Sequence, residues 1–160
     1  MNLPELKIGK LVAQVPIIQG GMAIRLSTAP LAAAVANEGG IGLIAASGMG
    51  LDELRKEIRM ARELTGGKGI IGINAMVAAR QFLDLITTAA EEGIDLIVAG
   101  AGFSRDIFAV GRRYGVEVVP IVSSARLAQT AEKLGASAVV VEGTEAGGHL
   151  GTQQSIKEIL

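Results

Sequence analysis

The stretch IDLIVAGAGFSRDIFAVGRRYGVEVVPIV, residues 94–122, contains the pattern that decides the fold. An apolar run begins at Ile94, a segment of helical period covers residues 105–114, and a second apolar run begins at Val116. Continuous apolar runs, rather than strict alternation, are typical of parallel strands that are covered on both faces. The stretch therefore predicts a βαβ unit.

The same unit repeats along the chain. Apolar runs begin near Val15, Ile41, Ile70, Ile94, Val116 and Ser137. Segments of helical period fit residues 28–38, 51–64, 80–92, 105–114 and 124–135. This alternation predicts an α/β fold with a parallel sheet. Pro120 lies inside the fifth run, and because proline cannot donate to a strand ladder, we expect that strand not to occupy a central position.

The spacing of the runs favours a barrel. The first and last runs start at positions 15 and 137, so the mean period is about 24 residues and the next strand is expected near position 161. Residues 152–160 have the pattern of the beginning of a helix. Because an eight-stranded βα barrel needs ~250 residues, the pattern predicts such a barrel truncated to about six βα units, in a single domain of residues 1–160. A doubly wound sheet of six strands is the alternative, and the order of the strands separates the two.

Composition argues against several classes of function. Fifteen basic and sixteen acidic residues give a net charge of −1 without a basic cluster, so we expect no nucleic-acid partner. The chain has no cysteine and one histidine, which argues against a cysteine nucleophile or a metal centre. The first apolar run, residues 11–24, is interrupted by Gln14, Pro16 and Gln19, which fits neither a signal peptide nor a membrane span. We therefore expect a cytoplasmic protein that does not bind membranes.

Glycines and isolated polar residues gather where the predicted strands end. They occur at Gln19–Met22, Ser47–Gly48, Asn74, Gly100–Gly102, Ser123–Ser124 and Glu142–His149. In parallel α/β folds this edge of the sheet is where ligands bind, since loops and helix N-termini present free backbone N–H groups there. The turn GAG at 100–102 is only a weak dinucleotide-binding signature, because Arg105 stands where the third glycine belongs.

The stretch EGTEAGGHLG, residues 142–151, is the most informative for chemistry. It places His149 in a glycine-rich loop after a Val-Val-Val strand, where an imidazole can transfer a proton near neutral pH. An exposed loop position without a chemical role is the alternative. Glu142 and Glu145 likewise act either as acid and base groups or as a hydrogen-bond acceptor and a solvated charge. Asn74 interrupts an apolar strand, so its amide needs a partner, either a cofactor edge or neighbouring backbone.

Six short motifs follow one another along the chain. They are PIIQGGM at 16–22, GGIG at 39–42, GIN at 72–74, GAG at 100–102, VPIVSS at 119–124 and EGTEAGGHLG at 142–151. In this order and spacing, from about residue 11 to the end, they resemble the nitronate monooxygenase (2-nitropropane dioxygenase) family, which includes the FMN-dependent enoyl-acyl-carrier-protein reductases. The resemblance implies a TIM (β/α)8-type barrel with FMN bound at the mouth formed by the C-terminal strand ends.

The resemblance also implies roles for individual residues. By this resemblance, four parts of the chain would lie along the flavin: the backbone around Gly21 and Met22, the side chain of Asn74, Glu142, and the Gly147–Gly148 turn. His149 matches the family's catalytic histidine. Position 142 is commonly glutamine in the monooxygenase branch and glutamate in the reductase branch, so Glu142 favours the reductases at this position.

The activity implied by the resemblance is the oxidation of alkyl nitronates or nitroalkanes with O₂ through FMN, with His149 as the base or as the group that orients the substrate. The alternative within the family is an enoyl reductase, in which NAD(P)H reduces FMN and an enoyl thioester accepts the hydride. An alternative of another class is an inactive partial barrel that does not retain FMN. In the family, the seventh and eighth strands carry the glycine loops that hold the FMN phosphate, and only six strands are predicted here. The expected partners are small molecules, and association of identical chains stays open.

Overall fold

The computed structural model describes residues 3–22, 25–148 and 151–160. The strands are β1 Leu6–Ile8, β2 Leu11–Ala13, β3 Ile18–Gln19, β4 Ile41–Ala45, β5 Ile70–Met76, β6 Leu96–Gly100, β7 Glu117–Val122 and β8 Val140–Val141. The helices are α1 Ala29–Asn37, α2 Leu51–Leu64, α3 Phe82–Glu91, α4 Asp106–Tyr114, α5 Ala125–Leu134 and α6 Ile156–Ile159. The predicted helical segments agree with α1 to α5 to within two residues at each end.

Strands β3 to β8 form one six-stranded sheet in sequential order, and every neighbouring pair is parallel. Sequential order with a helix after each strand is the arrangement of a βα barrel, whereas a doubly wound sheet reverses its order beside the first strand. The order therefore confirms the predicted TIM-type α/β fold with six βα units and excludes the doubly wound alternative.

Helices α1 to α5 pack on one face of this sheet. In α2, the side chains of Leu54, Ile58 and Ala61 are fully buried at the predicted helical spacing. Helix α1 lies so close to β4 that a side chain at Gly42 would overlap the backbone carbonyl of Ala32. Within the described ranges, no helix is long and apolar enough to cross a bilayer.

The opposite face of the sheet encloses a second apolar cluster, which we call the inner cluster. Its buried members are Ile41 and Leu43 of β4, Leu96 and Val98 of β6, Val119 of β7, and Ile8 and Ala13 of the β1–β2 hairpin. This antiparallel hairpin turns through Gly9 and Lys10, and Gly9 has the left-handed φ of +54° that suits the first position of such a turn. The sequence did not reveal the hairpin, because two strands of three residues produce no distinct apolar run.

Pro120 corrects one expectation from the sequence. It lies in β7, the fifth strand of six, and pairs with Ala99 of β6. Val118 accepts a hydrogen bond from Ser137 on the β8 side, so alternation along the strand directs the nitrogen of Pro120 to that side as well. The ladder to β8 begins only at Ile121. An interior strand therefore tolerates the proline, because the missing N–H falls just outside the ladder.

Candidate functional site

Two predicted polar residues lie where strands end at the mouth of the barrel. In β5, Ile70 packs on the inner cluster, and a side chain at Gly72 would meet Leu43 of that cluster. Strand alternation therefore directs Asn74 to the same inner face, at the C-terminal end of β5. Glu142 directly follows β8. Both residues thus lie at the edge where barrels of this type bind their ligands.

The loop after β3 meets β5 at Gly21. A Cβ atom at Gly21 would lie 2.5 Å from Cβ and 2.8 Å from Oδ1 of Asn74, so the close approach itself requires glycine. Asn74 is half-buried, and its amide offers both donor and acceptor groups. Met22, the next residue of the loop, is 46% exposed. The structure therefore brings predicted residues of two separate motifs together in one wall of the mouth.

Gln19, the last residue of β3, and Ser27 of the β3–α1 connection continue the hydrogen bonding of β4 beyond the end of β3. The side-chain oxygen Oε1 of Gln19 accepts the Leu43 N–H at 3.3 Å. The backbone carbonyl of Ser27 accepts the Ala45 N–H at 2.9 Å, and the Ser27 side chain is fully buried. Gln19 stands out in the sequence as a polar residue at a strand end, whereas Ser27 does not stand out, because a serine just before a helix ordinarily indicates a cap.

Glu142 borders a cavity of about 330 Å³ at the ends of β6, β7 and β8. Its lining residues are Ala101, Gly102, Phe103, Ile121, Val122, Ser123, Leu127, Glu142 and Gly151. The Oε1 atom of Glu142 is buried, and no described residue donates a hydrogen bond to it. A buried carboxylate oxygen without a donor costs free energy. The cavity therefore suits a ligand that brings a hydrogen-bond donor to Glu142.

The GAG turn forms another part of the wall of this cavity. Ala101 has a φ of +51° and Gly102 a φ of +129°, and both residues line the cavity. A left-handed alanine costs ~1–2 kcal/mol, so the surrounding structure holds this turn in a strained conformation. The sequential strand order excludes the Rossmann-type fold to which the weak dinucleotide signature belongs.

The glycine-rich loop after β8 is described up to Gly148. Gly147 has open space around it, and Gly148 has a left-handed φ of +93°. His149, the predicted catalytic residue, lies outside the described residues. Glu145 accepts the Ile156 N–H at 3.0 Å, which assigns its carboxylate to the first turn of α6. Glu145 is therefore an acceptor for a backbone N–H, a role that neither of its two interpretations, an acid or base group or a solvated charge, included.

An ion pair flanks the loop after β3. The Arg25 guanidinium contacts Glu53 of α2 through Nε at 2.8 Å and through a terminal nitrogen at 3.1 Å. This hydrogen bonding from Arg25 holds the pKa of Glu53 below its ordinary value. In the part of the chain that the structure describes, no three His, Cys, Asp or Glu residues are grouped to hold a metal ion.

Most of the chain is similar in sequence to a known protein family and to curated proteins. A model of the family described as nitronate monooxygenase matches residues 5–99 and 75–159. The chain is 31% identical, over 136 residues, to (3aS,4S,5R,7aS)-5-hydroxy-7a-methyl-1-oxo-octahydro-1H-indene-4-carboxyl-CoA dehydrogenase of Mycobacterium tuberculosis. That alignment covers 85% of this chain and 38% of the relative, so the chain spans about two fifths of the relative's length.

Two solved structures share the fold and appreciable sequence identity. FabK from Thermotoga maritima superposes with a TM-score of 0.84 and is 36% identical, covering 90% of this chain and 45% of its own. Nitroalkane oxidase from Streptomyces ansochromogenes superposes with a TM-score of 0.77 and is 27% identical, covering 91% of this chain and 51% of its own. The chain thus corresponds to about half of each of these proteins.

Proposed function

We propose, since the chain belongs to the nitronate monooxygenase family, that it binds FMN at the barrel mouth and acts in an FMN-dependent oxidoreductase. The observation that carries the proposal is the buried Oε1 atom of Glu142, which has no donor among the described residues. FMN offers such donors, on its ring and on its ribityl hydroxyls, and it supplies the redox chemistry when bound. The residues at the mouth therefore fit the cofactor.

The remaining wall residues would hold FMN in complementary ways. The loop would present the backbone of Gly21 and Met22 to the flavin beside Asn74, because the absence of a side chain at Gly21 lets the loop pack directly against Asn74. The amide of Asn74 would donate to or accept from the ring edge. The Gly147–Gly148 turn would offer backbone N–H groups without side chains in the way.

FMN binding can be tested through Asn74. We expect Asn74→Ala to weaken FMN binding about tenfold, since a hydrogen bond contributes about 0.5–1.5 kcal/mol. Asn37→Ala is the matched control, because the Asn37 amide donates to the Leu64 carbonyl at 3.2 Å on the outer, helical layer. Flavin fluorescence measures both affinities. A wild-type chain that does not bind FMN would favour the inactive partial barrel instead.

The first candidate reaction is the oxidation of alkyl nitronates with O₂. In this proposal His149 accepts the α-proton of a neutral nitroalkane, and the nitronate formed is then oxidised. A positioned general base contributes typically ~10²–10⁴-fold. We therefore expect His149→Ala to lose about that factor on neutral nitroalkanes and little on preformed nitronates, which already lack the proton. Steady-state rates on both forms of one compound test this, and equal rates for wild type and variant would remove His149 from the mechanism.

The second candidate is the reduction of an enoyl thioester by NAD(P)H. Two observations favour it, namely the glutamate at position 142 and the 36% identity to FabK. Anaerobic mixing with NAD(P)H distinguishes the candidates, because a reductase loses its flavin absorbance within the mixing experiment and a nitronate monooxygenase does not. In the reductase, His149→Ala would impair the transfer to the enoyl thioester and leave flavin reduction rapid.

A further inference from the structure

We infer that Ser27 is a positioning residue, which fixes the Gly20–Met22 segment against Asn74 and thereby sets the affinity for FMN. The inference rests on the proposed FMN site and adds to it a residue that does not line the mouth. Its basis is the hydrogen bonding of one fully buried hydroxyl.

The Ser27 hydroxyl uses its full hydrogen-bonding capacity on the loop after β3. Its Oγ accepts the backbone N–H of Met22 at 2.9 Å and the Gln19 Nε2 at 2.9 Å, and it donates to the Gly20 carbonyl at 3.2 Å. A hydroxyl has one donor and two acceptor sites. All three hydrogen-bonding sites of the Ser27 hydroxyl therefore hold residues 19–22 in one conformation.

The serine is itself anchored to the sheet. Its backbone carbonyl accepts the Ala45 N–H of β4 at 2.9 Å, and its backbone N–H donates to the Met22 carbonyl at 3.2 Å. Helix α1 begins two residues later, at Ala29. Because Ser27 is hydrogen-bonded both to β4 and to the loop after β3, the position of the loop is fixed relative to the edge of β4.

The position of the loop matters because there is no free space between the loop and β5. The approach of Gly21 to the Asn74 side chain is so close that even a methyl group would not fit. A displacement of the loop would either press on Asn74 or open a gap beside it. In both cases the surface that would be offered to the flavin changes, although Ser27 itself is fully buried.

The variant Ser27→Ala tests the inference. We expect it to weaken FMN binding at least tenfold and to speed amide hydrogen exchange in residues 17–22 of the FMN-free chain. Thr65→Ala is the matched control, since Thr65 is also buried and its hydroxyl donates to Ala61 at 3.0 Å at the end of α2. The control should lower the melting temperature without changing FMN affinity or exchange in residues 17–22.

Gln19→Met provides a second variant in case Ser27→Ala does not fold. It removes both the Nε2 that donates to Ser27 Oγ and the Oε1 that accepts the Leu43 N–H of β4, so a change in the same direction is expected. Equal FMN affinity of the Ser27 variant and wild type, or an equal loss in the Thr65 control, would overturn the inference. Failure of the wild-type chain to bind FMN would refute the proposed function, and the exchange measurement would still decide whether Ser27 holds the loop.

Discussion

Neighbouring glycines of the loop after β3 have different structural requirements. A Cβ atom at Gly20 would meet no atom within 4 Å, whereas a Cβ atom at Gly21 would collide with Asn74. Neither residue has a left-handed φ. The two positions therefore differ in the space around them and not in backbone conformation, which makes them a matched pair for substitution.

We expect Gly21→Ala to destabilise the fold by about 1–3 kcal/mol, the usual cost of forcing an extra carbon into a packed site. It should also weaken FMN binding, since Asn74 must move away from its position at the mouth. Gly20→Ala should change neither quantity appreciably. Denaturant unfolding and flavin fluorescence measure the two effects, and identical behaviour of the variants would show that the Gly21 contact is unimportant.

Single residues at the mouth were predictable to different degrees. Asn74 and Glu142 stand out in the sequence because each is a polar residue at the end of an apolar strand, and the structure places both at the mouth. Ser27 gives no such signal, since its partners are backbone groups that only the folded loop brings near it. The role of His149 stays a prediction.

At the scale of elements, a row of arginines on α2 joins that helix to the end of α3 and the start of β6. Arg59 contacts Glu92 at 2.7 Å through two nitrogens, and Arg62 contacts Asp95 at 2.9 Å. Asp95 also accepts the Ile71 N–H at 2.9 Å. The helical layer is thus linked to the sheet at the N-terminal ends of β5 and β6, away from the mouth.

The Arg59–Glu92 pair predicts a pH dependence of stability. Hydrogen bonding from Arg59 lowers the pKa of Glu92, so the folded state binds a proton less readily at this group than the unfolded chain does. The stabilisation is therefore complete above the ordinary glutamate pKa and is lost as the pH falls through the lowered value. We expect Glu92→Gln to cost about 0.5–1 kcal/mol at pH 7 and less at pH 3, which lies below the ordinary glutamate pKa.

Glu63→Gln is the control for this measurement. Glu63 lies exposed on α2, the helix that carries Arg59, and it makes no ion pair with a described residue. Its effect should be small, since the substitution removes no such ion pair. Urea unfolding of wild type and both variants at the two pH values gives the comparison, and a pH-independent cost for Glu92→Gln would contradict the assigned role of the ion pair.

Helices were more predictable than the outer strands of the sheet. Helices α1 to α5 extend over nine residues or more, which gives a periodic pattern as in α2, and their predicted bounds hold to within two residues. Strand β3 has two residues although its apolar run begins near Val15, because Val15 already bonds to Gly39 and the chain turns there. Strand β8 is similarly short, since Ser137 bonds to Val118 before the ladder itself begins.

At the scale of the molecule, different residues form the two ends of the sheet, the end where the strands start and the end where they finish. The β1–β2 hairpin packs on the inner cluster, and at the strand starts Glu117 of β7 accepts the Lys10 N–H at 3.1 Å and the Ser137 hydroxyl. Asn74 and Glu142 lie at the other end. The hairpin therefore closes the end opposite to the mouth.

We expect Glu117→Ala to lower the free energy of unfolding by about 0.5–1.5 kcal/mol, because the half-buried Ser137 hydroxyl loses its acceptor while water can bind the exposed Lys10 N–H. FMN affinity should be unchanged, as the substitution lies at the closed end. Glu132→Ala, at an exposed position of α5, should alter neither property. Thermal unfolding and FMN titration measure both, and a loss of FMN affinity parallel to the loss of stability would show that the ends are coupled.

The close packing of α1 on β4 has a consequence for how this protein can be diversified. A Cβ atom at Gly42 would overlap the Ala32 carbonyl, which belongs to the backbone and is present whatever side chain stands at position 32. No second substitution in α1 can therefore make room, and position 42 accepts glycine alone unless the whole helix shifts. A mutational library should therefore keep Gly42 fixed and vary the residues that line the 330 Å³ cavity.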